Sequence, residues 1–161
     1  MIPPSLLELV RRTFALPLDS IHGEAHWARV CENGLRLAGQ TGADPAIVEL
    51  FAYLHDSRRE DEGWDRAHGR RAAELVRSLQ GTLLDLPEDQ LECLAFACTY
   101  HSDGLTEASV TVQTCWDADR LDLGRIGVRP DQVRLCTPAA QDPATIEWAW
   151  VRSRPTRKAR I

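Results

Sequence analysis

The sequence predicts a single all-α domain of about six or seven helices. Apolar residues recur three or four positions apart through most of the 161 residues, which places them on one face of a helix. Proline, acidic and glycine residues stand where helices would begin and end. No repeat or long linker divides the chain, so we expect one domain over 1–161, with its core at about 20–125 and a C-terminal extension at 126–161.

Three helices are predicted in the first third of the chain. The first is SLLELVRRTFAL, after two prolines, and the second is GEAHWARVCENGLRLAGQ, which ends near two glycines. Asp44 is the predicted N-cap of the third helix and Pro45 its first residue. The body of this helix, AIVELFAYLHD, is apolar on most sides and should be the central buried helix.

The remaining two thirds predict four more helices. A polar break, SRREDEGWD, precedes the helical patterns HGRRAAELVRSLQ and LPEDQLECLAFACTYH. The next segment, EASVTVQTCWDADRLDLG, begins with a β-rich run, but its length favours a helix. PAAQDPATIEWAW indicates one last short helix, and the basic tail RSRPTRKAR is expected to be solvated.

Composition excludes several classes of protein. The net charge of −5 argues against general nucleic-acid binding, and no apolar run approaches the ~20 residues that span a bilayer. The start, MIPPSLLELVRR, lacks the pattern of a signal peptide. Five cysteines without a CxxC pair indicate free thiols in a reducing compartment. We therefore expect a cytoplasmic protein with no membrane partner.

Histidines and aspartates supply the candidate chemistry. Four of the five histidines fall at predicted helix ends or beside acids, and DADRLD offers three aspartates. Nitrogen and oxygen ligands suit Fe, Mn, Ni, Co or Zn better than calcium, and helix ends in a bundle can converge on one point. Each residue alone has an ordinary alternative, such as a histidine that interacts with a helix dipole or an aspartate in a surface ion pair.

The order of these residues resembles the HD superfamily of metal-dependent phosphohydrolases. HWARV is similar to the first motif of that superfamily, AYLHD to its His-Asp motif and DADRLD to its last motif. The resemblance implies an HD-type helical domain with His26, His55, Asp56 and Asp119 as metal ligands. Asp119 is preferred to Asp117 because it precedes Arg-Leu, and Asp117 stays an alternative.

Further site residues follow from the same resemblance. HGRRAAELV and YHSDG resemble the segments that hold a second metal in some HD families, which implies His68 and His101 as ligands and Asp56 as a bridge. The cofactor is then one or two divalent transition-metal ions, with Mg²⁺ as an alternative. Arg59 stands where many HD enzymes have a phosphate-binding lysine, and Arg58 is a weaker candidate.

The expected activity is hydrolysis of a phosphoester of a nucleotide or another small phosphorylated molecule by metal-activated water, with Asp56 and Arg59 as catalytic residues. His22 would contact substrate phosphate or support a ligand. The polar segment 57–69 is the expected rim of the site. Two alternatives stay open: a di-iron oxygenase of HD type, and a metal-retaining sensor or partner-binding domain without catalysis.

Overall fold

The computed structural model of the chain describes residues 2–155, and these fold into eight α-helices without a β-strand. Most of the basic tail, at 156–161, lies outside the described residues. The prediction of an all-α fold is confirmed. The helices are α1 (Pro4–Thr13), α2 (Glu24–Thr41), α3 (Pro45–Leu54), α4 (His68–Ser78), α5 (Glu88–Tyr100), α6 (Val110–Arg120), α7 (Pro138–Gln141) and α8 (Pro143–Ser153).

Two helix starts show how the sequence sets these bounds. The Asp44 carboxylate accepts hydrogen bonds from the backbone N–H groups of Ala46 and Ile47, so Asp44 is the predicted N-cap of α3. The single helix predicted at the C-terminal end is instead two, because Asp142 leaves the helical conformation and caps α8. That division gives eight α-helices where six or seven were expected.

The core is built around α2, which packs against α3 and α6, while α4 packs against α5. Trp27, Phe51 and Trp116 are the largest buried apolar side chains of this core. A second buried cluster joins α7 and α8 to Leu37 and Leu121, so the C-terminal helices cover one side of α2 and α6. Among the described helices, none is both long enough and apolar enough to cross a membrane.

One glycine sets a close approach that matters for the site. A Cβ on Gly69 would lie 2.6 Å from the carbonyl oxygen of Cys98 and 2.8 Å from that of Thr99. Only glycine therefore lets the first turn of α4 meet the last turn of α5 at this distance. His68 precedes Gly69 and His101 follows α5, so the contact brings these two histidines together.

Candidate metal centre

Five helix ends deliver the predicted ligands to one point. His26 lies in the first turn of α2, and His55 and Asp56 directly follow α3. His68 begins α4, His101 follows α5, and Asp119 lies in the last turn of α6. The structure thus brings together all six residues that the resemblance implied as ligands, although they are spread over nearly 100 positions.

The Asp56 carboxylate stands at the centre of this cluster. Its Oδ2 atom lies 3.6 Å from Nε2 of His26 and 3.8 Å from Nε2 of His55. Its Oδ1 atom lies 3.3 Å from Nε2 of His68 and 3.4 Å from Nε2 of His101. Each carboxylate oxygen therefore faces its own pair of imidazole rings, which is the arrangement of a bridging ligand.

Within each pair the Nε2 atoms face one another. They are 3.1 Å apart in His26 and His55, and 2.9 Å apart in His68 and His101. Asp119 joins the first pair, with Oδ1 3.4 Å from Nε2 of His26 and 3.7 Å from Nε2 of His55. Two nitrogen lone pairs directed at a common point repel each other, whereas a cation at that point would bind both.

The far nitrogen of each ring fixes its tautomer. Nδ1 of His55 is 3.1 Å from the carbonyl oxygen of Phe51, and Nδ1 of His101 is 2.7 Å from that of Cys98. Nδ1 of His68 donates to the carbonyl of Asp65. A ring that donates from Nδ1 has an unprotonated Nε2 when it is neutral, so these three rings present lone pairs to the cluster.

Carboxylates complete the support around the cluster. Nδ1 of His26 lies 2.7 Å from Oδ2 of Asp122, which also accepts hydrogen bonds from the guanidinium of Arg29. His22 precedes α2 rather than lying in it, and its Nδ1 is 2.9 Å from Oδ2 of Asp56. His22 therefore contacts the central carboxylate of the cluster and lies where it could orient that carboxylate.

The spacing and burial of the cluster's donor atoms fit a bound metal ion. Two overlapping groups, His26 with His55 and Asp119, and His55 with Asp56 and His101, each keep one donor atom per residue within 4.8 Å of the others. Oδ1 of Asp56 is buried and has no hydrogen-bond partner among the described residues. A buried carboxylate oxygen without a donor is costly, and a cation would satisfy it.

The pKa values of the cluster residues also favour cation binding. Burial, together with the nearby charge of Arg125, holds the pKa of His26 well below its usual value, and burial also lowers the pKa of His55. Burial alone would raise the pKa of Asp56, but the neighbouring His55 and His101 bring it well below the usual value. His26 and His55 thus offer neutral imidazoles and Asp56 an ionised carboxylate, which are the metal-binding forms.

The two arginines predicted to bind substrate, Arg58 and Arg59, lie in different environments. Arg59 is buried, with Nη1 3.6 Å from Oδ1 of Asp56 and 3.1 Å from Nε2 of His68. Arg58 is only half-buried, and its carbonyl accepts hydrogen bonds from Arg71. The structure thus brings Arg59 to the cluster and leaves Arg58 outside the set of described residues that line the adjoining cavity.

Asp117 lies away from the cluster and holds a loop. Its carboxylate accepts hydrogen bonds from the backbone N–H groups of Cys136 and Thr137, at 2.7 and 2.8 Å, and from the Thr137 hydroxyl at 2.8 Å. Side chains two positions apart on an α-helix such as α6 point in directions that differ by about 200°. The structure therefore places Asp119, and not Asp117, beside the histidines.

A cavity of about 640 Å³ opens over the cluster. One side holds the cluster residues and Arg59, and the other is the segment 123–135, which sequence reasoning did not assign to the site. Gly63 and Trp64 of the expected rim line a second cavity of about 430 Å³ beside Arg59. The arginines that line the first cavity are Arg59, Arg120, Arg125, Arg129 and Arg134.

The helical fold and the converging histidines and aspartates match an HD-type domain, the class that the sequence resembles. A crystal structure of a predicted HD superfamily hydrolase from an uncultured Thermotogales bacterium is similar to this chain. The TM-score is 0.71 and the sequence identity 26%, with 91% of this chain and 84% of that chain covered. The resemblance to the HD superfamily is thereby confirmed. No family model and no curated protein matches the sequence.

Proposed function

We propose that this protein is a metal-dependent hydrolase that cleaves a phosphoester of a small phosphorylated molecule. The observation that carries the proposal is the Asp56 carboxylate, which lies between two pairs of imidazole nitrogens with a buried arginine beside it. The similar Thermotogales protein, named as a predicted hydrolase, supports hydrolysis in general. The choice of a phosphoester rests on the cavity and its arginines.

The ligands divide between the two oxygens of Asp56. His26, His55 and Asp119 would hold one divalent ion with Oδ2, and His68 and His101 a second ion with Oδ1. This nitrogen and oxygen set suits Mn, Fe, Ni, Co or Zn. Metal ions in such a site lower the pKa of a bound water and neutralise phosphoryl oxygens.

The other site residues hold the ligands and the substrate in place. His22 fixes Oδ2 of Asp56 through Nδ1, and its Nε2 lies 3.2 Å from the carbonyl of Glu62 in the rim. Arg59 is held by a hydrogen bond from Nη2 to the carbonyl of Gly63. Its guanidinium is thus preorganised beside the cluster and would contact phosphate oxygens without losing much side-chain freedom.

A nucleotide is the substrate class to test first. The cavity volume of about 640 Å³ lies within the usual range for pockets that bind small molecules. Trp64, with 77% of its surface exposed beside the second cavity, offers an aromatic face on which a base could stack. Both features support a nucleotide as the proposed substrate.

One observation also favours a di-iron oxygenase of HD type. That activity would need His68 and His101 as ligands, and their Nε2 atoms do face each other at 2.9 Å across from Asp56. Iron bound as purified, with the electron paramagnetic resonance signal of a mixed-valence pair, would favour this alternative. Metal content that is mainly Mn, Co, Ni or Zn would favour hydrolysis.

The proposed function is tested by metal analysis and a phosphoester panel on the same preparations. We expect bound metal and hydrolysis of at least one nucleotide or aryl phosphate in the wild type, and loss of both in Asp56→Ala. Asp85→Asn, which changes an exposed aspartate, is the matched control. Full activity in Asp56→Ala would overturn the proposal, as would a metal-loaded protein that hydrolyses no phosphoester in the panel.

A further inference from the structure

We propose that Arg125 is a second phosphate-binding residue, and that with Arg59 it selects phosphomonoesters over phosphodiesters. This inference rests on the proposed function and names the substrate class of the same site. Arg125 lies in a short 3-10 helix, Leu123–Ile126, which directly follows α6. Arg125 lines the cavity together with Asp56 and Asp119.

The guanidinium of Arg125 is fixed by two of its three nitrogens. Nε donates to the carbonyl of Ile21 at 3.0 Å, and Nη1 donates to the carbonyl of Asp122 at 3.1 Å. Only 9% of the side-chain surface is exposed. The third nitrogen, Nη2, lies 4.0 Å from Oδ1 of Asp119, beyond hydrogen-bond distance, so its protons remain available to an oxygen in the cavity.

The C-terminal helix holds this turn in position. A Cβ on Gly124 would lie 2.0 Å from the hydroxyl oxygen of Ser153 and 3.1 Å from the Trp150 ring, so the turn packs closely against α8 at this glycine. The turn that bears Arg125 is therefore backed by a packed helix. A side chain supported in this way loses little freedom when it binds an anion.

The two arginines adjoin different carboxylates of the cluster. Arg59 lies 3.6 Å from Oδ1 of Asp56, and Arg125 lies 4.0 Å from Oδ1 of Asp119. The two carboxylates meet at His26, whose Nε2 lies within 3.6 Å of both. Both arginines also line the same cavity, where each would bind its own oxygen of one phosphoryl group.

The number of phosphoryl oxygens then decides the substrate class. A monoester offers three non-bridging oxygens and up to two negative charges, whereas a diester offers two oxygens and one charge. The two fixed guanidinium groups and the metal-loaded cluster are at least three cationic partners, and each would bind one phosphoryl oxygen. A diester would leave one of these cationic partners without an oxygen, and an unpaired, partly buried cation is costly.

The test compares phosphate binding and the preference for a monoester over a diester in Arg125→Gln, Arg125→Lys and a control variant. The control is Arg152→Gln, since Arg152 is also partly buried, donates to Asn33 and lies outside the described cavity lining. Binding of inorganic phosphate to metal-loaded protein is measured by calorimetry, and metal per chain by mass spectrometry. Rates are measured for 4-nitrophenyl phosphate and bis(4-nitrophenyl) phosphate.

We expect Arg125→Gln to weaken phosphate binding at least tenfold with unchanged metal content, Arg125→Lys to weaken it less, and the control to match the wild type. The wild type should favour the monoester at least tenfold in kcat/KM, and Arg125→Gln should reduce that preference. Normal phosphate binding in Arg125→Gln, loss of its metal, or preference for the diester in the wild type would each overturn the inference. Arg125-dependent phosphate binding without hydrolysis of either ester would keep the anion site and argue against the phosphohydrolase instead.

Discussion

Asp122 holds the imidazole of His26 from the side opposite the cluster. Oδ2 of Asp122 lies 2.7 Å from Nδ1 of His26, and the same carboxylate binds the Arg29 guanidinium at 2.6 and 3.1 Å. The carboxylate is 1% exposed. A buried carboxylate in this position fixes the ring with Nε2 toward the cluster and increases the electron density on that nitrogen.

We therefore expect Asp122→Asn to weaken metal binding by roughly 10- to 100-fold, the usual effect of changing the partner of a metal-binding histidine. The measurement is a competition titration against a chromophoric chelator. Asp85→Asn serves as the control because Asp85 is exposed. Wild-type metal affinity in Asp122→Asn would show that His26 does not depend on this carboxylate.

His68 and His101 test whether the site holds two ions. Their nitrogens face only Oδ1 of Asp56, whereas His26 and His55 face Oδ2. His68→Ala should reduce the metal content from about two ions per chain to about one, while Asp56→Ala should lose both, with the helical circular dichroism largely kept. An equal metal content in His68→Ala and the wild type would remove His68 from the ligand set.

The sequence predicted the local parts of this site better than the distant ones. His55 and Asp56 could be recognised because they end the most apolar helix of the chain. The helical period could also have separated Asp119 from Asp117, since two positions along α6 face different ways. The structure gives that separation directly, through the bonds of Asp117 to Cys136 and Thr137.

Asp122 and Arg125 could not be assigned from the sequence. Both follow the end of α6, and their directions depend on a 3-10 turn that packs on α8. No local pattern reports that contact, because it joins segments about 30 residues apart. The same reason explains why the arginine-bearing wall at 123–135 was not predicted as part of the site, while the rim at 57–69, adjacent to the His-Asp pair, was.

Asp117 should act on stability rather than on metal binding. Its carboxylate satisfies three buried or partly buried donors on Cys136 and Thr137. Asp117→Ala would leave these donors without acceptors, and we expect the free energy of unfolding to fall by about 2–4 kcal/mol. Urea unfolding measures this loss, and metal analysis provides the contrast with Asp119→Ala. If Asp117→Ala lost metal but kept its stability, the assignment of the two aspartates would be reversed.

The metal-free protein should lose stability as the pH falls below about 6.5. Burial lowers the pKa of His68 to about 4, and it also lowers the pKa of His26 and His55. In the unfolded chain these rings take up protons near pH 6.5, so between pH 6.5 and 4 the unfolded state binds more protons than the folded state. That difference makes the free energy of unfolding decrease as the pH is lowered through this range.

His101 acts in the opposite direction. Burial tends to lower its pKa, but the nearby Asp56 carboxylate leaves the pKa raised, so His101 contributes stability that is lost as the pH rises. Because three rings oppose one, we expect the net fall below pH 6.5 to persist. Urea unfolding of chelator-treated protein at pH 7 and pH 5 measures it, and His68→Asn should show a smaller fall. A free energy of unfolding that is constant or rises on acidification would contradict this account.

Arg58 and Arg59 form a matched pair of variants because they are adjacent and chemically identical. Arg59 is 9% exposed, contacts His68 and lines the cavity, whereas Arg58 supplies its backbone carbonyl to Arg71. We expect Arg59→Gln to raise KM for 4-nitrophenyl phosphate at least tenfold, since it removes a fixed, charge-assisted donor to phosphate. Arg58→Gln should change KM less than twofold, because the hydrogen bond to Arg71 uses the backbone. Equal effects of the two substitutions would mean that the charge of this segment, and not the position of the Arg59 guanidinium, attracts the substrate.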